Sequence, residues 1–204
     1  MPTTKTADKL QEIYQIKVTL LGTDPPIWRR LLVPADLTLE QLHHVLQLAM
    51  GWEGCHRHEF RIGPQRFGTP TPMEKAFGGL RTASERTARL YNVLDRAGIK
   101  AVYTYDFGDS WEHRIVVEKH LAPEPGRAYP ACLTGERHGP PEDCGGIPGF
   151  YNLLEAIGDP GHEEHDELLD WLGGNFDPDA FSVDEVNRRL AAMQRRRSKA
   201  AAQK

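Results

Sequence analysis

Two β-rich runs on either side of a tight turn constrain the fold of this chain more than any other feature. Residues 101–107 and 111–121 are rich in β-branched and aromatic side chains, and Gly108-Asp109-Ser110 lies between them. Glycine and aspartate between two such runs favour a β-hairpin, because both residue types tolerate the backbone angles of tight turns. We therefore predict an antiparallel hairpin with Tyr103, Tyr105 and Phe107 on one face.

A second hairpin is predicted near the start of the chain. Residues 13–21 and 28–33 are typical of strands, and Pro25-Pro26 lies in their connection. Apolar side chains at every second position share one face of a strand, which here comprises Tyr14, Ile16, Val18 and Leu20. Residues 56–62 alternate in the same way, with His56, His58, Phe60 and Ile62 on one face.

Helical patterns follow the strands. Thr38 and Gln41 match a capping box, and Gly51 stands where a glycine commonly ends a helix. Ser84 is expected to cap a helix that Gly98 ends. Further helical patterns cover residues 150–157, 164–172 and 182–193, the last with a second capping box. Two stretches rich in glycine and proline, 63–83 and 122–149, predict loops.

The mixture of hairpins and helices indicates the fold class. Strands and helices are interspersed without regular βαβ alternation, which favours an α+β fold with a mixed, mainly antiparallel sheet and helices packed on one face. No long linker divides the 204 residues. We expect a single domain over residues 14–193, with flexible termini at 1–12 and 195–204.

Composition narrows the class of protein. The net charge of -4 gives little support for a nucleic-acid partner, although the end of the chain is basic. No apolar run is long enough to cross a membrane, and the first residues lack the apolar segment of a secretory signal, so we expect a cytoplasmic protein without a membrane partner. The odd cysteine count of three argues against a disulfide framework.

Three segments carry residues suited to binding or catalysis. His56 and His58, at alternate positions of a predicted strand, point to the same side. A tight turn between two strands and a glycine-rich loop supply the other candidates. The candidate pocket is His56, His58, Asp106, Asp109, His113, Glu142 and Asp143. Turn formation alone is an equally good reason for the aspartates, because aspartate bonds readily to its own backbone in turns.

Zinc is the cofactor that these residues favour, if one is bound. Thiolate and imidazole are the ligands that zinc prefers, and the segment 132–146 holds two cysteines in a loop rich in proline and glycine. We expect this loop to pack over the strands that carry two of the histidines. The candidate ligands are then His58, His113, Cys132 and Cys144. The alternative is that both cysteines are small buried side chains in an ordered loop.

Several blocks in a fixed order resemble the plasmid ORF-3-like family. They are Tyr14-Gln-Ile-Lys-Val-Thr-Leu, Pro26-Ile-Trp-Arg-Arg, Met50-Gly-Trp, His56-Arg-His-Glu-Phe, Tyr105-Asp-Phe-Gly-Asp-Ser-Trp-Glu-His and Pro140-Pro-Glu-Asp-Cys-Gly-Gly. The resemblance implies an α+β fold with an antiparallel sheet. Members of that family occur on plasmids and as passengers of insertion elements, some with a resolvase-like label. They often carry a cysteine where this chain has Gly139.

Two classes of function fit these residues. The first is a non-catalytic binding or accessory module of mobile-element or host biology, which agrees with the lack of a complete catalytic signature in the sequence. The alternative is a metal-dependent hydrolase or nuclease, in which imidazoles and carboxylates bind an ion that activates water. Convergence of the candidate side chains on one cleft would favour the enzyme, and scattering would favour the module.

Overall fold

The computed structural model describes residues 11–70 and 82–202, with side chains as far as Arg195. These residues form one α+β fold, as predicted, with eight strands in one sheet and five helices. In chain order the elements are β1 (Ile13–Leu20), β2 (Trp28–Pro34), α1 (Leu39–Met50), β3 (His58–Ile62), β4 (Gln65–Gly68), β5 (Ala83–Ser84), α2 (Leu90–Val93), β6 (Lys100–Tyr105), β7 (Trp111–Leu121), β8 (Ala131–Glu136), α3 (Gly146–Gly158), α4 (His165–Trp171) and α5 (Val183–Ala202).

Both predicted hairpins are confirmed. The strand order is β5-β4-β3-β6-β7-β1-β2-β8, and every neighbouring pair is antiparallel except the parallel pair β4 and β5. In the hairpin of β6 and β7, Tyr103 is opposite His113. Tyr103 and Tyr105 lie on one face, as predicted, and are buried, but Phe107 lies beyond the end of β6 and is 49% exposed. The turn begins before Phe107, so that residue does not continue the alternation.

One face of the sheet is apolar and covered, and the other is polar. The alternate residues of β1 that the sequence marks as apolar are buried, and they are Tyr14, Ile16, Val18 and Leu20. They belong to the same core cluster as the buried side chains Leu42, Val45, Leu46 and Ala49 of α1. On the opposite face, Arg30 of β2 pairs with Glu118 of β7 at 2.7 Å. Period-two alternation thus fixes which face meets the helices.

The predicted ends of α1 are confirmed. The hydroxyl of Thr38 accepts the backbone N–H of Gln41 at 3.2 Å, and the Gln41 side chain accepts the backbone N–H of Thr38 at 3.1 Å. Gly51 ends the helix with a φ of 93°, in the left-handed region that glycine enters without steric cost. These contacts satisfy backbone groups that the helix itself leaves unpaired.

The predicted helix after Ser84 is wrong in extent and in its cap. Ser84 lies in β5, and the only helical turn in this region is α2. The backbone here bonds to the segment before α1 instead, since Leu39 donates to Ala88 at 2.9 Å and Leu90 donates to Leu37 at 2.9 Å. Part of the predicted loop 63–83 is also a strand, β4, while residues 71–81 lie outside the described residues.

The predicted loop 122–149 contains a strand, β8, which the sequence pattern does not predict. It forms one edge of the sheet, where it pairs with β2. The side-chain amide of Asn187 on α5 closes that edge, because it accepts the N–H of Cys132 at 2.7 Å and donates to the carbonyl of Cys132 at 3.0 Å. The register of β8 shifts near Leu31, which breaks the alternation that would have identified the strand.

The C-terminal helix runs further than its apolar pattern. Periodicity in the sequence ends at Met193, whereas the backbone of α5 stays helical to Ala202. The predicted flexible segment 1–12 lies mostly outside the described residues. None of the described helices combines the length and apolarity that a membrane crossing requires.

Replacing Val116 with proline should be severely destabilising. Val116 is in β7, between Lys17 of β1 and Lys100 of β6, so proline would remove a ladder donor from an inner strand. We expect a loss of roughly 3 kcal/mol or more of unfolding free energy. Urea unfolding measures it, with Val116→Thr as the matched control that keeps the N–H. Equal stability of the two variants would contradict the central position of β7.

Candidate functional site

Three loops meet at one end of the central strands. They are the segment before β3, the turn that joins β6 to β7, and the loop between β8 and α3. Antiparallel pairing places the start of β3 beside the end of β6, since His58 is opposite Tyr105. The indole N–H of Trp52 donates to the carbonyl of Pro140 at 2.8 Å and holds the third loop against the first.

The turn between β6 and β7 has a fixed shape. Asp106 and Ser110 both have positive φ, 54° and 55°, a conformation that aspartate tolerates better than most residues. The Asp106 carboxylate accepts the N–H of Gly108 at 2.9 Å, and the Asp106 carbonyl accepts the N–H of Ser110 at 2.6 Å. One carboxylate oxygen of the buried Asp106 is thereby used in the turn, and the other faces His56.

The loop before α3 rests directly on this turn. The carboxylate of Asp109 accepts the N–H of Gly145 at 3.1 Å. A Cβ atom at Gly146 would lie 2.4 Å from the carbonyl oxygen of Asp109, so only glycine permits this approach. Asp109 thus positions the loop, and it is not among the residues whose side chains could share an ion.

Glu142 joins all three loops. Its carboxylate accepts the hydroxyl of Tyr105 at 2.9 Å and the backbone N–H of Glu53 at 2.7 Å, and it lies 3.6 Å from Nε2 of His56. Burial and the bond to Glu142 raise the pKa of the Tyr105 hydroxyl, so Tyr105 stays protonated and donates. Glu142 is therefore held beside His56 as a hydrogen-bond acceptor.

His56, Asp106 and Asp143 form the acidic cluster. The Nε2 atom of His56 lies 3.0 Å from a carboxylate oxygen of Asp143, and its Nδ1 atom lies 3.9 Å from Asp106. One ligand atom from each residue lies within 4.8 Å of the other two, and no other His, Cys, Asp or Glu group in the described part of the chain meets that condition. Carboxylates this close repel each other, and a cation relieves that repulsion.

His58 does not join the acidic cluster. Its Nε2 atom lies 2.7 Å from the buried carboxylate of Glu85, and its ring stacks on His43 of α1 at 3.5 Å between centroids. His43 lies 2.7 Å from the hydroxyl of Tyr103, which also accepts a hydrogen bond from Gln47 at 2.8 Å. His58 is therefore part of a buried polar network between α1 and the sheet.

His113 is also apart from the cluster. It is fully buried, its Nδ1 atom lies 3.1 Å from the carbonyl of Trp111, and its ring meets Trp52 edge-on. Burial lowers the pKa of His113 to about 4, so the ring is neutral. Its Nε2 atom has no hydrogen-bond partner among the described residues. His113 therefore packs in the core against Trp52 and lies outside the set of residues that could share an ion.

The four proposed zinc ligands are not brought together. Cys132 lies on the edge strand β8, three positions across the sheet from the strand that carries His113. Burial raises the pKa of Cys132 to about 11 and that of Cys144 to about 12, so both are neutral thiols. All three cysteines are free. Cys132 therefore matches the alternative expectation of a buried side chain in an ordered segment, whereas Cys144 is only partly buried.

Sequence reasoning missed the partners of His58. His43 and Gln47 are one helical turn apart on α1, and both lie on its buried face. Two polar side chains at a spacing of four within an apolar stripe were the available signal. Glu85 could not be found in this way, because it lies in a segment with no clear periodicity.

A family model of plasmid pRiA4b ORF-3-like proteins matches residues 12–185. The chain belongs to the plasmid pRiA4b ORF-3-like family. This ORF-3-like chain is 38% identical over 177 residues to the uncharacterized protein y4hQ of Sinorhizobium fredii, covering 86% of this chain and 89% of y4hQ. It is also similar to the crystal structure of MM3350, a protein of unknown function from Methanosarcina mazei Go1. The TM-score is 0.75 at 36% identity, over 85% of this chain and 96% of that one.

Gly139 of this ORF-3-like protein, where the resemblance implies a cysteine, leaves no room for a side chain. A Cβ atom at Gly139 would lie 2.2 Å from the carbonyl oxygen of Met50, at the end of α1. The backbone here is packed too closely for a cysteine side chain without a shift of one segment. A metal site that includes a cysteine at this position therefore does not fit the ORF-3-like chain.

The buried histidines should make the protein acid-sensitive. Burial lowers the pKa of His43 to about 3 and of His113 to about 4, whereas unfolded histidine titrates near 6.5. The unfolded chain then binds more protons, so stability falls as the pH drops from about 6.5 towards 4. Between pH 7 and pH 5 we expect His113 to account for roughly 2 kcal/mol of that loss.

Urea unfolding at several pH values measures this effect. His113→Gln should flatten the acid limb of the stability curve, because glutamine does not titrate. His44 is exposed on the same helix as His43, so His44→Gln is the control and should leave the limb unchanged. An acid limb in His113→Gln as steep as in the wild type would show that His113 is charged in the folded state.

Proposed function

We propose that this ORF-3-like protein is a non-catalytic binding module that takes a divalent cation at the acidic cluster. The observation that supports it is the convergence of His56, Asp106 and Asp143, whose ligand atoms lie within 4.8 Å of one another. One imidazole and two carboxylates suit Mn²⁺ or Zn²⁺, and oxygen ligands alone would suit Mg²⁺. Glu142 lies beside this set, 3.6 Å from His56, and its carboxylate accepts hydrogen bonds from Tyr105 and Glu53.

The setting of the cluster suits binding at a surface. The Asp143 side chain is 68% exposed and that of His56 is 30% exposed, while Asp106 is buried beneath them. An ion held by three ligands at such a place keeps coordination positions for a ligand from another molecule. A cation here would join this chain to a carboxylate or phosphate group of a partner.

Two features favour a module over an enzyme. The thiols of Cys132 and Cys144 both have raised pKa values and are poor nucleophiles. The candidate bases His58 and His113 point away from the cluster into buried contacts. We place the module in the cytoplasm, because its three free cysteines fit a reducing compartment.

A metal-dependent hydrolase is the second candidate, and one observation favours it. Asp143 also lines a cavity of about 270 Å³ between α3 and α4, bordered by Leu153, Leu168 and Trp171. A metal-bound water at the cluster would face a substrate in that cavity. A nuclease is less well supported, since the net charge of -4 gives the chain little attraction for a nucleic-acid backbone.

Calorimetric titration with Mn²⁺, Zn²⁺ and Mg²⁺ tests the cation site. Chelator-treated protein should bind one equivalent of Mn²⁺ or Zn²⁺. Asp106→Asn should weaken binding at least tenfold, about 1.4 kcal/mol or more. Asparagine tolerates positive φ and keeps an acceptor for Gly108, so the turn should survive while the charge is lost.

The controls separate this site from the cysteine-containing alternative. If the ion binds at the acidic cluster, Cys132→Ser should leave metal affinity unchanged. If the ion were held by Cys132 and Cys144 with His58 and His113, the same variant would lose binding. Loss of binding in that variant, or no saturable binding of any of the three ions, would contradict the proposal. Release of nitrophenol from phosphate or acyl esters by the Mn²⁺-loaded protein, lost in Asp106→Asn, would favour the hydrolase.

A further inference from the structure

A separate cavity lies where the end of α1 meets the start of α5. Its volume is about 310 Å³, and it shares no residue with the acidic cluster. Charged side chains line it from two directions, with Arg29 of β2 on one side and Arg189 and Glu185 of α5 on the other. The ring of Phe181 forms part of the wall and lies 4.4 Å from the guanidinium carbon of Arg29.

Arg29 is a buried cation, and one nitrogen of its guanidinium group has no hydrogen-bond partner among the described residues. The residue is 3% exposed. Its Nε atom donates to the carbonyl of Ala49 at 2.8 Å, and Nη1 donates to the carbonyls of Trp28 and Glu136, both at 2.8 Å. Nη2 has no hydrogen bond to any described residue. Since Arg29 lines the cavity, the two N–H groups of Nη2 are its donors for a bound molecule.

The charge of Arg29 has no carboxylate partner. All three of its hydrogen bonds go to neutral backbone carbonyls, and burial lowers its pKa to about 10, with the positive charge of Arg189 acting in the same direction. Glu185 is the one carboxylate that lines the cavity within the described chain, and it pairs with Arg189. Two guanidinium groups and one carboxylate leave the cavity with a net positive charge.

Backbone carbonyls offset only part of that charge. The end of α1, which supplies the Ala49 carbonyl, carries a partial negative charge from the helix dipole. An ionised side chain removed from water nevertheless needs pairing, and buried charges in proteins are generally paired. A mobile anion in the cavity meets this requirement, because the walls already present donors from both arginines.

We propose that this cavity binds an oxyanion of the phosphate class, either free or as the phosphoryl group of a small molecule. The unpaired Nη2 of Arg29 contacts one oxygen, and Arg189 contacts another after it turns from Glu185. Guanidinium groups recognise phosphate oxygens by directed hydrogen bonds, and two of them match the double negative charge. The volume of about 310 Å³ leaves room for a small substituent on the phosphate.

Titration with inorganic phosphate tests the site without altering Arg29, whose replacement would strip partners from three carbonyls. Calorimetry with potassium phosphate, at an ionic strength matched with potassium chloride, should give saturable one-to-one binding. Arg189→Gln should weaken that binding about tenfold or more, the loss of one charged hydrogen bond. Glu185→Gln should strengthen binding, since it frees Arg189 and removes the competing carboxylate.

Matched controls come from the same helix. Arg188→Gln removes a positive charge, as Arg189→Gln does, and Asp184→Asn removes a negative charge, as Glu185→Gln does. Both control positions are exposed and adjacent to the cavity residues, so both variants should leave phosphate affinity within about twofold. No saturable heat with phosphate would overturn the proposal. Equal effects of Arg189→Gln and Arg188→Gln would overturn it as well, as would weaker binding in Glu185→Gln.

Discussion

Burial of one face of the sheet against α1 is the constraint on which the rest of the structure depends. The central strands β1, β6 and β7 each place alternate side chains in one core. A shift of one residue in the register of a strand would expose its apolar side chains to water. Burial of apolar area contributes roughly 25 cal/mol for each Å², so the register of these strands is strongly specified. This register places the start of β3, the end of β6 and the start of β7 at the same end of the sheet, where the loops that carry the acidic cluster meet.

The same interface contains several buried polar groups. His43 and Gln47 of α1 meet the hydroxyl of Tyr103, and His43 stacks on His58. Such bonds add little net stability, but leaving one unmade inside the core is costly. The network therefore fixes the rotation of α1 about its axis, where an apolar surface alone would accept several rotations. The cavity beside Arg29 depends on that rotation, because the Ala49 carbonyl anchors the guanidinium.

The sequence predicted the parts of the fold that are governed by local rules. Alternation and turn residues identified both hairpins, and the reciprocal bonds of Thr38 and Gln41 were foreseen from their spacing. The elements that were missed owe their form to distant contacts. Strand β8 exists because β2 and α5 pair with it, and the segment after Ser84 bonds to residues 35–39 and so gives up most of its helix.

The same distinction between local rules and distant contacts applies to the candidate site. His56, Asp106, Glu142 and Asp143 converge because they lie in or next to a turn and a loop that glycines bring into contact. His58 and His113 were predicted to join them from strand alternation alone. Alternation indicates the face of the sheet on which a side chain lies, but it does not indicate which other residues pack there. His58 met Glu85, which is 27 positions away in the chain. Partners at that separation leave no trace in local periodicity.

Asn187 shows how the sheet ends at β8. Its amide accepts the N–H and donates to the carbonyl of Cys132, which is the pair of bonds that a ninth strand would make. One side chain thus imitates a short piece of backbone, and α5 occupies the position at which another chain would add a strand. Detachment of α5 would uncover an unpaired edge, the template from which strand exchange and aggregation begin. The C-terminal helix therefore completes the sheet of its own chain and protects the β8 edge from pairing with another chain.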